Sequence, residues 1–166
     1  MKALIEQLAV LLERLCGLHT ELCGIARRMN EALRRKDVTA VQKHTAAYDL
    51  QICEIEKLEE ERLTLCDGIA RQMNSPGRHL TVAVIMESAG EDERKRLQKS
   101  RTELKARIGE LAGINTSNQV LLAETLNDID VTMRIVAKAG DKFAGYGHQG
   151  TREQAGTAQR LINHVA

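Results

Sequence analysis

The 166-residue chain is long enough for one domain with a buried core, and its composition limits what that core contains. Aromatic residues make up only 2% of the chain and tryptophan is absent, so the core must be built from Leu, Ile, Val, Met and Ala. A single proline, Pro76, leaves the helices free to run long. The formal net charge of +1 gives no long-range field that favours nucleic acid or an anionic membrane, so we expect no nucleic-acid partner.

Two long helices are predicted in the first half of the chain. Apolar residues recur in steps of three and four from about Lys2 to Arg35, as in a helix that packs in coiled-coil fashion. A second helix begins at Asp37 or Thr39 and continues to about Met73. Because the connection between them is so short, the two helices must form an antiparallel hairpin.

The second half predicts a short helix over 81–87 and then one long helix. Ser88 and Glu91 form a capping-box pattern at its start, and the apolar seam persists to about Ala139, where Gly140 is expected to stop it. The predicted fold is therefore all-α: a helical hairpin plus a long C-terminal helix in a three-helix, coiled-coil-like bundle. Residues 1–139 form the bundle domain, and the glycine-rich residues 140–166 are expected to be a mobile tail.

Two asparagines interrupt the seam of the long helix. Asn115 and Asn118 lie one turn apart, and a buried amide must find a hydrogen-bond partner or cost about 1–3 kcal/mol. The pair therefore either fixes the helix register or binds something else. Counting the short helix as the third, the second helix and the long helix are helices 2 and 4. If these two are antiparallel and meet at the 74–90 turn, the asparagine pair lies level with three polar residues of helix 2. We therefore interpret the pair as an internal polar layer. Those partners are Tyr48, Thr45 and His44, and the pair also falls near residues 25–28 of helix 1.

The charges are consistent with this register. Helix 2 carries an acidic cluster around Glu59, and helix 4 carries a basic cluster around Lys99 and Lys105. In the antiparallel arrangement Glu59 lies level with Leu104, so the two clusters would face each other. Each surface ion pair adds less than about 1 kcal/mol, but together they favour one orientation.

The same register leaves the end of helix 4 without cover. The turn between helices 1 and 2 lies level with about residue 126, so helix 4 should extend past it by about three turns. We expect an apolar stripe there to be available for binding another protein. The stripe consists of Leu122, Leu126, Ile129, Met133 and Val136.

Signals of catalysis, metal binding and cofactor binding are missing from the sequence. There is no Glu-x-x-His pair, no His-Glu-x-x-His, no Gly-x-Ser-x-Gly and no phosphate-binding glycine loop. The four cysteines form no close C-x2-C pair and lie beside seam positions, where a thiol acts as a small apolar side chain. We therefore expect no enzymatic activity, no catalytic or metal-binding residues and no cofactor.

Four segments, in order, resemble the FlgN-like flagellar export chaperones, and the similarity covers nearly the whole chain. They are Glu31–Leu33, Leu58–Arg62, the N-x-x-N-x-x-L-L pattern within Ile114–Leu122, and the glycine-rich Gly145–Gly150 with its tyrosine. The asparagine segment is the most specific of the four. Beyond Gly150 the chain has no pattern that can be transferred from the family.

The resemblance implies a cytoplasmic chaperone without enzymatic activity. Such proteins bind the C-terminal helices of the hook-associated, or hook–filament junction, proteins, prevent their premature assembly and deliver them to the membrane export gate. The family's substrate-binding region lies in its C-terminal part, and the residue that matches its gate-docking tyrosine is Tyr146. A cytoplasmic location also agrees with the start of the chain, where Glu6 and Glu13 interrupt any apolar targeting segment.

Two other interpretations stay open from the sequence. One is a homodimeric coiled-coil adaptor whose fourth helix pairs only with itself, and self-association of the free protein would also be compatible with a chaperone. The other is a thiol or metal sensor that uses Cys16 and Cys23.

Overall fold

The chain folds into four helices, as seen in a computed structural model that describes residues 1–74 and 80–143, with side chains through Lys138. Helix α1 comprises Lys2–Arg34, α2 Val38–Gln72, α3 Val82–Glu87 and α4 Glu91–Phe143. The described residues contain no β-strand. The predicted all-α class, the hairpin and the short third helix are therefore confirmed.

Hydrogen bonds fix both ends of the turn between α1 and α2. Lys36 adopts a left-handed conformation with φ 54°, and the backbone amides of Lys36 and Asp37 donate to the carbonyl oxygens of Leu33 and Ala32. This is the Schellman arrangement, which satisfies the last carbonyls of a helix. The carboxylate of Asp37 then accepts from the backbone amide of Ala40 at 2.9 Å and caps α2.

Contacts between residues cluster into two compact units of the chain, Met1–Leu121 and Leu122–Ala166. In the first unit α1 and α2 are antiparallel, since Gln51 of α2 donates to the carbonyl oxygen of Leu18 and Leu4 lies against Gly68. The core is aliphatic, with Leu8, Leu15 and Leu22 of α1 fully buried. Helix α3 and the start of α4 complete the same core with Ile85 and Leu97.

The first part of α4 runs parallel to α1 and antiparallel to α2. The pairs Cys16–Ser100 and Cys23–Arg107 both advance along α1 and α4 together. Tyr48 of α2 instead meets Asn115, and Glu59 lines the same groove as Leu104, in agreement with the antiparallel register predicted from the sequence.

The two charge clusters meet at one groove, which Glu59 lines together with Arg101 and Lys105. The ion pairs of the acidic residues are nevertheless local. Glu54 and Glu59 pair within α2, with Lys57 and Arg62. Ion pairs also connect α4 to α1: Arg96 pairs with Glu6 and with Glu13, the latter at 3.0 Å, Glu110 pairs with Arg27, and Glu93 pairs with Lys2 at 3.7 Å. Residues one turn apart on a helix pair without ordering a second chain segment, so local partners compete well with those on a neighbouring helix.

The second unit is described through the end of α4. Here the predicted end at Ala139 is wrong, because the helix continues through Gly140 to Phe143. Glycine costs a helix about 1 kcal/mol relative to alanine, but it keeps its backbone hydrogen bond and does not by itself end the helix. Side chains over 122–138 are exposed, apart from the half-buried Thr125.

Candidate functional site

The asparagine pair of α4 is hydrogen-bonded to both other long helices. Asn115 donates its side-chain amide to the hydroxyl oxygen of Tyr48 on α2 at 2.9 Å. Asn118, which is only 7% exposed, donates to the carbonyl oxygen of Ala26 on α1 at 3.1 Å. Both amides therefore have partners inside the first unit, which removes the cost of burying them.

Two residues that sequence reasoning missed belong to this polar layer. The side-chain amide of Asn30 donates to the side-chain oxygen of Asn118 at 2.8 Å and lies 3.0 Å from the hydroxyl of Ser117. Asn30 in turn accepts from the guanidinium of Arg34 at 2.9 Å. Asn30 follows the seam position Met29. The loop lengths place the asparagine pair near residues 25–28 of α1, and that precision does not single out Asn30 as the partner of Asn118.

Thr45 and His44 are the other two residues that were predicted to belong to the polar layer. Thr45 is exposed, and its hydroxyl donates to the carbonyl oxygen of Val41 in its own helix at 3.0 Å. His44 is half-buried on α2. The structure thus brings together Tyr48 and Asn115 and joins Asn118 to α1.

Two buried thiols form a second connection between α1 and α4. Cys16 donates to the carbonyl oxygen of Ser100 at 3.3 Å, and Cys23 donates to that of Arg107 at 3.6 Å. Burial raises the pKa of both thiols, with nearby carboxylates acting in the same direction. A raised pKa reduces the reactive thiolate, and the two residues are separated by about 10 Å along the helix axis, too far for a disulfide.

This geometry favours a packing role for Cys16 and Cys23 over a sensor. All four cysteines are free thiols, and only Cys53 is exposed. Among residues 1–74 and 80–138, no group of three metal-ligating side chains is placed to hold an ion.

The predicted binding stripe lies in the second unit. Its five side chains, Leu122, Leu126, Ile129, Met133 and Val136, are between 45% and 61% exposed. At about 100° per residue they fall within an arc of about 80° on the helix surface. Steps of four and three are those by which one helix presents apolar side chains to another. The predicted docking residue Tyr146 lies outside the described residues.

These features define the class of protein. The chain is an all-helical protein with a hydrogen-bonded polar layer and an exposed apolar helix surface, as expected of a helical protein that binds other proteins. A family model described as FlgN protein matches residues 1–154. The chain therefore belongs to the FlgN family, a family of flagellar export chaperones.

Two further findings concern similar proteins and the ability of the helices to span a membrane. Neither the search of curated proteins nor the search of solved structures gives a match. Within the described part of the chain, none of the helices combines the length and the apolar character needed to span a membrane.

Proposed function

We propose that this chain is a cytoplasmic flagellar export chaperone that binds the C-terminal helices of hook-associated proteins and delivers them to the export gate. Membership of the FlgN family supports the general role. The exposed apolar stripe from Leu122 to Val136 is the observation that supports binding of the substrate's C-terminal helices. In this proposal, covering the substrate's terminal helices prevents premature assembly.

The stripe suits a partner helix with its own three–four apolar spacing. Fully burying a Leu, Ile, Met or Val side chain contributes about 1.5–3 kcal/mol, and these five side chains are about half exposed. Covering them therefore contributes on the order of 4–7 kcal/mol, against an association cost of at least about 4 kcal/mol. The stripe alone would give a weak complex.

We therefore assign further contacts to residues beyond Ala139. Their sequence is glycine-rich and contains Leu161 and Ile162, which could add apolar contact when the substrate binds. Tyr146 is the residue that we propose docks on the membrane export-gate protein.

The stripe is tested by substituting one side chain on it and one off it. Met133→Asp should weaken binding of a labelled C-terminal helical peptide of a hook-associated protein by about tenfold or more, since it places a charge in the apolar contact. Ile135→Asp is the matched control, because Ile135 is as exposed as Met133 but lies elsewhere on the helix. Titration calorimetry with the full-length chain measures both.

Undiminished binding by Met133→Asp, alone and in a chain truncated after Ala139, would contradict the C-terminal binding proposal. A dimer that forms through the stripe and excludes the peptide would instead favour the homodimeric adaptor. Gate docking is measured separately: Tyr146→Ala should lose binding to the soluble domain of the export-gate protein while the peptide affinity stays unchanged.

A further inference from the structure

An apolar groove of about 520 Å³ lies between α2 and α4 in the first unit and includes no residue of the stripe. Its floor contains Leu12 of α1, which is 2% exposed, and the half-buried Leu104 of α4. Each edge adds an apolar side chain that is about half exposed, Leu63 of α2 at 50% and Ile108 of α4 at 48%. The helices of the first unit therefore leave apolar surface uncovered here, and we call this surface the α2–α4 groove.

The rim of the α2–α4 groove is positively charged. Three cations line it, Arg62, Arg101 and Lys105, together with one carboxylate, that of Glu59. Arg62 and Glu59 pair with each other at 2.7 Å. Arg101 and Lys105 are exposed and form no ion pair with another residue of the described chain. Two positive charges on α4 therefore lie beside the apolar floor without a carboxylate partner.

The lining residues of α4 share one face of that helix. Relative to Arg101, the other three lie three, four and seven residues further on, and these are Leu104, Lys105 and Ile108. Such offsets keep side chains on one face, and at 1.5 Å per residue they extend over about 10 Å. A groove between two helices accepts a third helix whose side chains interdigitate with theirs. About two turns of a partner helix are enough to cover this face.

We propose that the α2–α4 groove docks an acidic amphipathic helix of another protein, distinct from the helix that the stripe binds. The apolar side chains of that helix pack on Leu104 and between Leu63 and Ile108, and its carboxylates pair with Arg101 and Lys105. A basic helix is disfavoured, because it places like charges against these two cations. A contact of about two turns is small, so the complex is transient. The inference goes beyond the proposed function and does not rest on it.

A designed helical peptide tests the charge preference. The probe is a fluorescein-labelled peptide with leucines at three–four spacing and glutamates at the other positions, and the control peptide has lysine in place of each glutamate. Fluorescence anisotropy with the full-length chain should show binding of the acidic peptide only. The affinity should fall with added salt, because the two cations are exposed.

Substitutions in the groove test where the peptide binds. Leu63→Ser and Ile108→Ser should each raise the Kd of the acidic peptide by about tenfold, since each removes apolar contact from one edge. Leu50→Ser is the matched control and should leave it unchanged, because Leu50 is 71% exposed on α2 and does not line the groove. Circular dichroism confirms that each variant keeps its helix content.

Charge reversal separates the groove cations from the general charge of α4. The double variant Arg101→Glu with Lys105→Glu should lose binding of the acidic peptide by about tenfold or more and should bind the lysine peptide instead. Lys95→Glu with Lys99→Glu changes the net charge of the same helix equally, at exposed positions outside the groove. This control should keep the wild-type preference, and equal losses in the two double variants would overturn the proposal.

Three further outcomes contradict the inference. One is the absence of acidic-peptide binding at chain concentrations up to about 1 mM. Another is binding that Met133→Ser abolishes and Ile108→Ser leaves unchanged, since the peptide then occupies the stripe. The third is binding to phosphatidylglycerol vesicles that requires Arg101 and Lys105 while the acidic peptide does not bind, because the ligand of the cations is then an anionic lipid surface.

Discussion

The two parts of α4 have similar apolar spacing and very different burial. In residues 91–121, Leu97 is fully buried and Asn118 is 7% exposed, with α1 and α2 supplying their neighbours. In residues 122–138, the apolar side chains are about half exposed on two faces. A three–four pattern therefore identifies which side chains share a face, whereas the neighbouring helices determine whether that face is buried or exposed.

Removing one leucine from each part of α4 should have very different effects on stability. Leu97→Ala should lower the free energy of unfolding by about 2–5 kcal/mol, because it leaves a cavity in the core. Leu126→Ala should change it by less than about 0.5 kcal/mol, since the side chain is 58% exposed. Urea denaturation measures both. Equal losses would show that Leu126 is packed in the free protein.

An asparagine in each part of α4 should show the same difference in its contribution to stability. Asn118→Ala removes the donor to the carbonyl oxygen of Ala26 and the acceptor of Asn30, so the free energy of unfolding should fall by about 1–3 kcal/mol. Asn127→Ala, at an exposed position of the same helix, should be neutral or slightly stabilising because alanine favours a helix. A neutral Asn118→Ala would mean that the polar layer contributes nothing to stability.

The smallest effect that we expect is a pH dependence of stability that arises from His19 in the first unit. His19 has a buried ring nitrogen, Nδ1, without a hydrogen-bond partner, and burial lowers the pKa of this histidine, against the charge of Glu59. Above its ordinary value of about 6.5 the ring is neutral both folded and unfolded. As the pH falls below that value the unfolded chain takes up the proton first, so stability falls until the pH passes the lowered folded pKa.

His19→Gln should therefore flatten the dependence of the urea midpoint on pH below about 6.5 relative to the wild type. Midpoints at a series of pH values check this. A difference between the two proteins that does not change with pH would contradict the titration and leave only a packing effect at residue 19.

Much of the fold could be predicted because its signals are local. Apolar patterns placed the four helices of the described residues, although α4 ends four residues later than expected. The two-residue turn ending at Asp37 required an antiparallel hairpin. Counting residues through the 74–90 turn placed Tyr48 level with Asn115, as the structure shows. Counting through both turns also placed the asparagine pair near residues 25–28 of α1, where Asn118 donates to the carbonyl oxygen of Ala26. Such a count locates α1 only to within about one helical turn, and Asn30 and Ser117 were missed for that reason.

The sequence by itself determined which residues share a helix face, such as the core leucines of α1 and the stripe from Leu122 to Val136. These follow from the constant rotation of about 100° per residue, which holds for any helix. Only the tertiary structure decided that Arg96 pairs with Glu13, that Asn118 donates to the carbonyl oxygen of Ala26, and that Cys16 donates to that of Ser100. Such contacts depend on the position of a neighbouring helix, and a helical pattern does not encode the distance to its neighbours.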